Sequence, residues 1–169
     1  YRYVAYLLPD LIRRVTRLSL QTSEAINRAI GLWACALAFH AYLKHWFGRH
    51  GAIIGVLGFF GSVPLFIVQT SFAPTDIPTL FFLILALIAL RNRQYIHLLW
   101  IVPAGMLFRE TIVFVYSVWG VAFLFEKDKR TQLPYLIGSL IITVVVFAGV
   151  RLYFGFHPYS SYALPDNLK

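Results

Sequence analysis

Arg109 and Glu110 stand together in the middle of a long apolar stretch. No Asp, Glu, Lys or Arg occurs between Arg93 and Arg109, or between Glu110 and Glu126. Ionisable groups at membrane depth are costly, and where they persist they face protein, water or a ligand. The planar fork of Arg109 suits a phosphate group. Glu110 can position that arginine or another group. Alternatively, the two residues form a mutual or neighbouring ion pair that holds a turn of the chain, and the sequence leaves both roles open. Asp76 is the other acid bordering an apolar run. It can cap the helix that follows it, join the same site, or do both. Of the remaining acids, Glu126 and Asp128 lie in a basic loop, Asp166 in the tail and Glu24 at a helix start, whereas Asp10 has no assignment.

Other chemistries find no footing. His40 and His97 are single residues on apolar helices, His45 and His50 belong to a basic loop, and His157 adjoins Pro158, so no pair has the helical spacing of a zinc site. No metal and no cofactor is expected. The lone Cys35 lies inside an apolar run and reads as a small buried hydrophobe. There is no Walker loop, dinucleotide fingerprint or Gly-x-Ser-x-Gly elbow.

The elements that must position these residues are read from composition. The chain is 59% hydrophobic, only 13% charged, and has a mean hydropathy of +0.70, against about 25% charged for an average soluble domain. Charge-free gaps separate Arg28 from Lys44, Arg49 from Asp76, Asp76 from Arg91, and Arg130 from Arg151. The expected fold is all-α: a polytopic membrane protein of about six embedded helices, with an interfacial amphipathic helix at the N-terminus. The net charge of +8 is then a matter of basic loops that set topology, not of nucleic-acid binding.

Three regions follow. Residues 1–22 alternate Tyr3, Tyr6, Leu7, Leu11 and Val15 with Arg2, Arg13, Arg14 and Arg17, the pattern of an interfacial helix. Pro9 is expected to break or start a helix there. Residues 23–154 form the transmembrane bundle, opened by Ser23 as N-cap with Glu24 in the first turn, and 155–169 form an extracytoplasmic tail. Spans are expected at about 24–44, 52–72, 77–91 and 132–153, with Pro78 in the first turn of the third. The stretch 94–126 as one straight helix would be about 48 Å long, against a hydrocarbon core of about 30 Å. It must tilt steeply or fold back. A hairpin with Arg109-Glu110 at its tip also places Lys44/Arg49, Arg91/Arg93 and Lys127/Lys129/Arg130 on one, cytoplasmic, side.

The order of these features resembles the membrane-embedded GT-C glycosyltransferase superfamily, especially its bacterial members. The resemblance runs through Tyr1-Arg2-Tyr3-Val4-Ala5-Tyr6-Leu7-Leu8-Pro9, the loop Pro74-Thr75-Asp76, the basic turn Arg91-Asn92-Arg93 and the element Arg109-Glu110-Thr111. It implies sugar transfer from a polyprenyl-phosphate donor on the extracytoplasmic side of a bacterial inner membrane. It further implies that Arg109, with Arg2 or Arg151, stabilises the departing lipid phosphate. The acid that acts as base in such enzymes follows the first transmembrane helix. Here it is expected upstream of Tyr1, in a longer polypeptide, or is absent.

The alternative is a non-catalytic accessory subunit of a larger membrane complex, respiratory or photosynthetic, for which the 17% aromatic content would suit protein, lipid or pigment contacts. Expected partners are therefore the lipid bilayer, a polyprenyl-phosphate sugar or other membrane subunits.

Overall fold

A computed structural model describes residues 3–69, 75–125 and 129–154, with backbone alone at 3–6, 63–69 and 154. Arg2, most of the loop before Asp76, the acids Glu126 and Asp128, and the tail 155–169 lie outside the described residues. The described chain is all-helical: α1 Tyr3–Thr16, α2 Leu20–Gln69, α3 Asp76–Arg91, α4 Tyr95–Met106, a 3-10 turn Glu110–Val113, α5 Phe114–Phe125 and α6 Lys129–Phe154.

α1 is continuous through Pro9, where the sequence predicts a break or a start. A proline inside a helix forfeits one backbone hydrogen bond. Here it is fully buried, in a helix that packs on α2, and that packing offsets the loss. Asp10 gains a role from the fold: its carboxylate accepts from Arg13 and Arg14, each at 2.8 Å. Desolvation pushes the Asp10 carboxyl up, but the bonds and charges of Arg14 and Arg13 outweigh it and hold the pKa below its ordinary 3.8. A depressed acid stabilises the fold above its unfolded pKa and loses that contribution as pH falls through the folded one. The stability difference between wild type and Asp10→Asn is therefore expected to be constant from neutral pH down to the ordinary carboxylate range. It should vanish below that range, in a pH series of thermal melts.

α2 opens one turn earlier than expected. Ser19, not Ser23, caps it: the Ser19 Oγ accepts from the Thr22 N–H at 3.2 Å. Ser23 is buried inside the helix and donates back to the Ser19 carbonyl at 3.0 Å. At Gly48 the backbone turns to φ 66°, ψ −175°, a region essentially reserved for glycine. The arms 20–47 and 49–69 fold back on each other there. The rings of Phe39 and Phe59 are 5.1 Å apart, and a Cβ on Gly55 would lie 2.6 Å from Leu43 Cδ1.

α3 crosses between the hairpin and the rest. Its first turn carries Asp76 and Pro78, and its end is a Schellman turn in which Arg93 N–H donates to Leu90 O and Gln94 N–H to Ala89 O. Arg93 takes the left-handed position at φ 56°. Cys35 is fully buried as expected, its Sγ 3.3 Å from Ile77 O.

The stretch from α4 to α5 folds back. The Tyr95 and Trp119 rings, 24 positions apart in sequence, stack at 6.1 Å and 10°. Trp119, fully buried, also stacks on Tyr116 at 6.4 Å and 11°, and around it lie Ala86, Leu98, Ile101, Val102, Ile112 and Val115. Gly105 makes the tight tip possible: a Cβ there would sit 2.8 Å from Ile112 Cγ1 and 3.0 Å from Phe82 Cβ. Gly105→Ala is expected to cost about 1–3 kcal/mol by overpacking, read as a lowered unfolding midpoint in detergent.

α6 packs on α4 and leaves most of its surface outside. Lys129–Tyr153 is the one helix among the described residues long and apolar enough to cross a membrane. Its best window has a mean hydropathy of 2.3 and is only 11% buried. A polar seam ties it down: Tyr116 Oη is 2.8 Å from Ser139 Oγ and 2.7 Å from Thr143 Oγ1, and Ser139 donates to Leu98 O at 3.0 Å.

Candidate functional site

α3 fixes two ends of the bundle, because its 16 residues separate Asp76 from Arg91 by about 22 Å. At the Arg91 end the basic groups gather. The Arg91 guanidinium lies 4.4 Å from the Trp46 ring centre, which brings the Lys44–Arg49 turn to this end. Arg93 and Thr131 line one cavity there, which brings the start of α6, with Lys129 and Arg130, to the same end.

At the Asp76 end the fold assembles four of the five residues singled out from the sequence. Arg109 and Asp76 form a salt bridge between the hairpin tip and the start of α3. Glu110 accepts from Arg151 Nη2 at 2.7 Å, joining the tip to the last turn of α6. The fifth, Arg2, lies outside the described residues. The side chains of Arg109 and Glu110 are 41% and 36% exposed, those of Asp76 and Arg151 only 22% and 13%. The open side of the cluster is therefore the hairpin tip.

The local backbone explains the split. α4 ends at Met106, Arg109 is extended at φ −158°, ψ 138°, and Glu110 begins the 3-10 turn. In an extended stretch successive side chains point opposite ways, so adjacent residues reach different helices. Arg109 and Glu110 thus do not pair with each other, one of the arrangements the sequence allowed. Asp76 occupies the first turn of α3, where helix-end polarity favours an anion, while the N-cap is Thr75, which makes no side-chain cap bond. Thr75 is fully buried, and its Oγ1 has no hydrogen-bond partner among the described residues. Phe82 and Phe108 stack at 5.6 Å beneath the tip, and Arg151 lies 5.0 Å from the centre of Phe147.

Comparison with known proteins gives no match to any family model, any curated protein or any solved structure. The likeness to GT-C enzymes rests on the sequence elements alone.

Two groups escaped the sequence reading. Thr75 was visible only as a neighbour of Asp76. The Ser139–Thr143 pair carries a signal that was legible, two hydroxyls one helical turn apart in an otherwise apolar run. Among the described residues no cluster of His, Cys, Asp and Glu could hold a metal ion.

Proposed function

We propose that this chain is the membrane-embedded part of a GT-C-like glycosyltransferase, and that the Asp76–Arg109 and Glu110–Arg151 cluster receives the phosphate of a polyprenyl-phosphate sugar donor. The observation that carries the reading is the convergence of charges from positions 76, 109, 110 and 151 at the end of the bundle opposite its basic loops. Outward-facing Trp33, Leu37, Ile54, Leu57, Phe125 and Leu152 support a lipid environment. In this arrangement about six helices are embedded, the α4–α5 hairpin entering without crossing, since 12 residues of α4 span about 18 Å. The basic end is cytoplasmic and the ion-pair cluster extracytoplasmic.

The chemistry follows from the groups. Arg109, the more exposed cation, shares one edge with Asp76 and offers its remaining donors to phosphate oxygens. Glu110 holds Arg151 at the floor. A base deprotonates the acceptor hydroxyl, which attacks the anomeric carbon, and the leaving polyprenyl phosphate takes its charge onto the arginines. Asp76 and Glu110 are each engaged with a cation, so neither is assigned as the base.

Arg109→Lys keeps a cation for Asp76 but removes the fork. Sugar transfer by the full-length protein in proteoliposomes should fall about 10²-fold or more, with the unfolding midpoint little changed. Normal transfer by this variant would remove Arg109 from the assigned role. A second reading, the accessory subunit, is favoured by the neutrality of the cluster, in which each arginine already has a carboxylate. It predicts no transfer by the wild type and stoichiometric co-purification of other membrane subunits.

A further inference from the structure

α1 divides its surface into strips of different character. Pro9 is buried and Ile12 half-buried where the helix packs on α2. Asp10, Arg13, Arg14 and Arg17 follow at i, i+3, i+4 and i+7 along a second strip. Leu7, Leu11 and Val15, each four residues from the next, form another. That apolar strip is uncovered: the three side chains are 61%, 58% and 76% exposed, and Leu8 is exposed beside them. Arg14 stands three residues from Leu11, so the apolar strip and the arginine strip share an edge.

The rest of the fold sets the depth at which α1 lies. A Cβ on Gly31 would lie 2.8 Å from Ile77 Cγ2, and the Arg91 guanidinium lies over the Trp46 ring. The first arm of α2 therefore runs beside α3 in the same direction, and its residues 20–30 overhang the start of α3 by about 16 Å. α1 leads into this overhang through residues 17–19. α3, with 16 residues, is about 24 Å long, short of a hydrocarbon core of about 30 Å. With the bundle embedded as proposed, the edge of the hydrocarbon falls within the overhang, and α1 meets α2 at headgroup depth.

Charge names the surface that α1 fits. Between Tyr3 and Ile30 the chain carries four arginines and two acids. Asp10 is shared by Arg13 and Arg14, each at 2.8 Å, and Glu24 meets Arg28 at 3.7 Å, while Arg17 meets no acid among the described residues. One carboxylate cannot occupy all the donors of two guanidiniums, and the side chains of Arg13 and Arg14 stay 50% and 76% exposed. These cations lie at the end of the bundle opposite the basic loops, where topology gives no reason for arginine. Headgroup phosphates give one. We infer that α1 is a membrane-surface helix that docks on an anionic leaflet. Leu7, Leu8, Leu11 and Val15 enter the acyl boundary, and Arg13, Arg14 and Arg17 hold headgroup phosphates. The inference rests on the bundle being embedded, not on sugar transfer.

Nitroxide labels on the full chain read the docking, in vesicles of phosphatidylcholine with and without phosphatidylglycerol. Single labels go on Leu11→Cys, Arg14→Cys or Val145→Cys, and the fully buried Cys35 does not compete for them. With phosphatidylglycerol present, position 11 should collide with oxygen and not with a water-soluble nickel chelate, and position 14 the reverse. Omitting phosphatidylglycerol should lower the ratio of docked to undocked position 11 about fivefold or more, as should Arg13→Gln/Arg14→Gln/Arg17→Gln. Position 145, on the exposed surface of α6, should report lipid throughout. Position 11 open to the chelate in both kinds of vesicle, with lipid contact at 145, overturns the inference alone. Position 11 shielded from both probes lies against protein, which overturns it equally, as does docking indifferent to both phosphatidylglycerol and the triple variant. A chelate-accessible position 145 sinks the embedded bundle itself and this inference with it.

Discussion

Trp119→Ala should be the most damaging single substitution in the described chain, costing about 3–5 kcal/mol of stability. The indole is fully buried, stacked on both Tyr95 and Tyr116, and bonded to Gln132 of α6. If the bundle is embedded as proposed, the gain from leaving water shrinks but the lost packing does not, because van der Waals contact is what joins helices in lipid. Removing the ring leaves a void at the point where α4, α5 and α6 meet. Thermal unfolding in detergent, followed by near-ultraviolet circular dichroism, would measure it. Trp119→Phe, which keeps an aromatic face for both tyrosines, should recover a substantial part of the loss. A midpoint for Trp119→Ala equal to wild type would show that the stack does not hold the hairpin closed.

The second large effect is expected at the Glu110–Arg151 pair, in a double-mutant cycle. Arg151 is 13% exposed and Glu110 36%. Removing one partner takes from the other a charge-assisted bond near the bundle interior, which costs more than the pair itself contributes. Solvent reaches Glu110 and screens it, so Arg151→Met should cost more than Glu110→Gln. A coupling energy of about 1–2 kcal/mol is expected between the two. The double variant should be more stable than Arg151→Met alone. Strict additivity would mean that α6 and the hairpin tip are joined by packing only, and that the ion pair is a surface accident. The same cycle bears on function. If sugar transfer falls in Glu110→Gln while stability holds, the carboxylate acts through the orientation of Arg151 and not merely as a clasp.

The α4–α5 hairpin is held at both its ends. Its tip is tied by two ion pairs, one to α3 and one to α6. Its base is tied by the Tyr95–Trp119–Tyr116 stack and by the hydroxyl seam to α6. Gly105 lets the tip close, and a Cβ there would meet α3 and the 3-10 turn at once.

The helical character, a turn within 94–126 and most members of the charged cluster are legible from the residues alone. Each is written in composition. The charge-free apolar gaps read as helices. A stretch as long as 94–126, if embedded, must tilt steeply or fold back, and Arg109 and Glu110, the only charges between Arg93 and Glu126, mark where a turn would fall. The start of α3 at Asp76, with Pro78 in its first turn, was legible for the same local reason.

The tertiary structure alone decided who pairs with whom. Arg109 and Glu110 are neighbours in sequence yet bind different helices, because the extended backbone at Arg109 sends adjacent side chains to opposite sides. Arg151 is the sole charge between Arg130 and the tail, but its partner lies 41 positions away, and no periodicity reports such a distance. The cap of α2 shifted from Ser23 to Ser19, and Pro9 stayed inside α1, since a hydroxyl's partner and a proline's cost depend on neighbours that only packing supplies. Sequence fixes which groups are too costly to leave alone; the fold chooses their company.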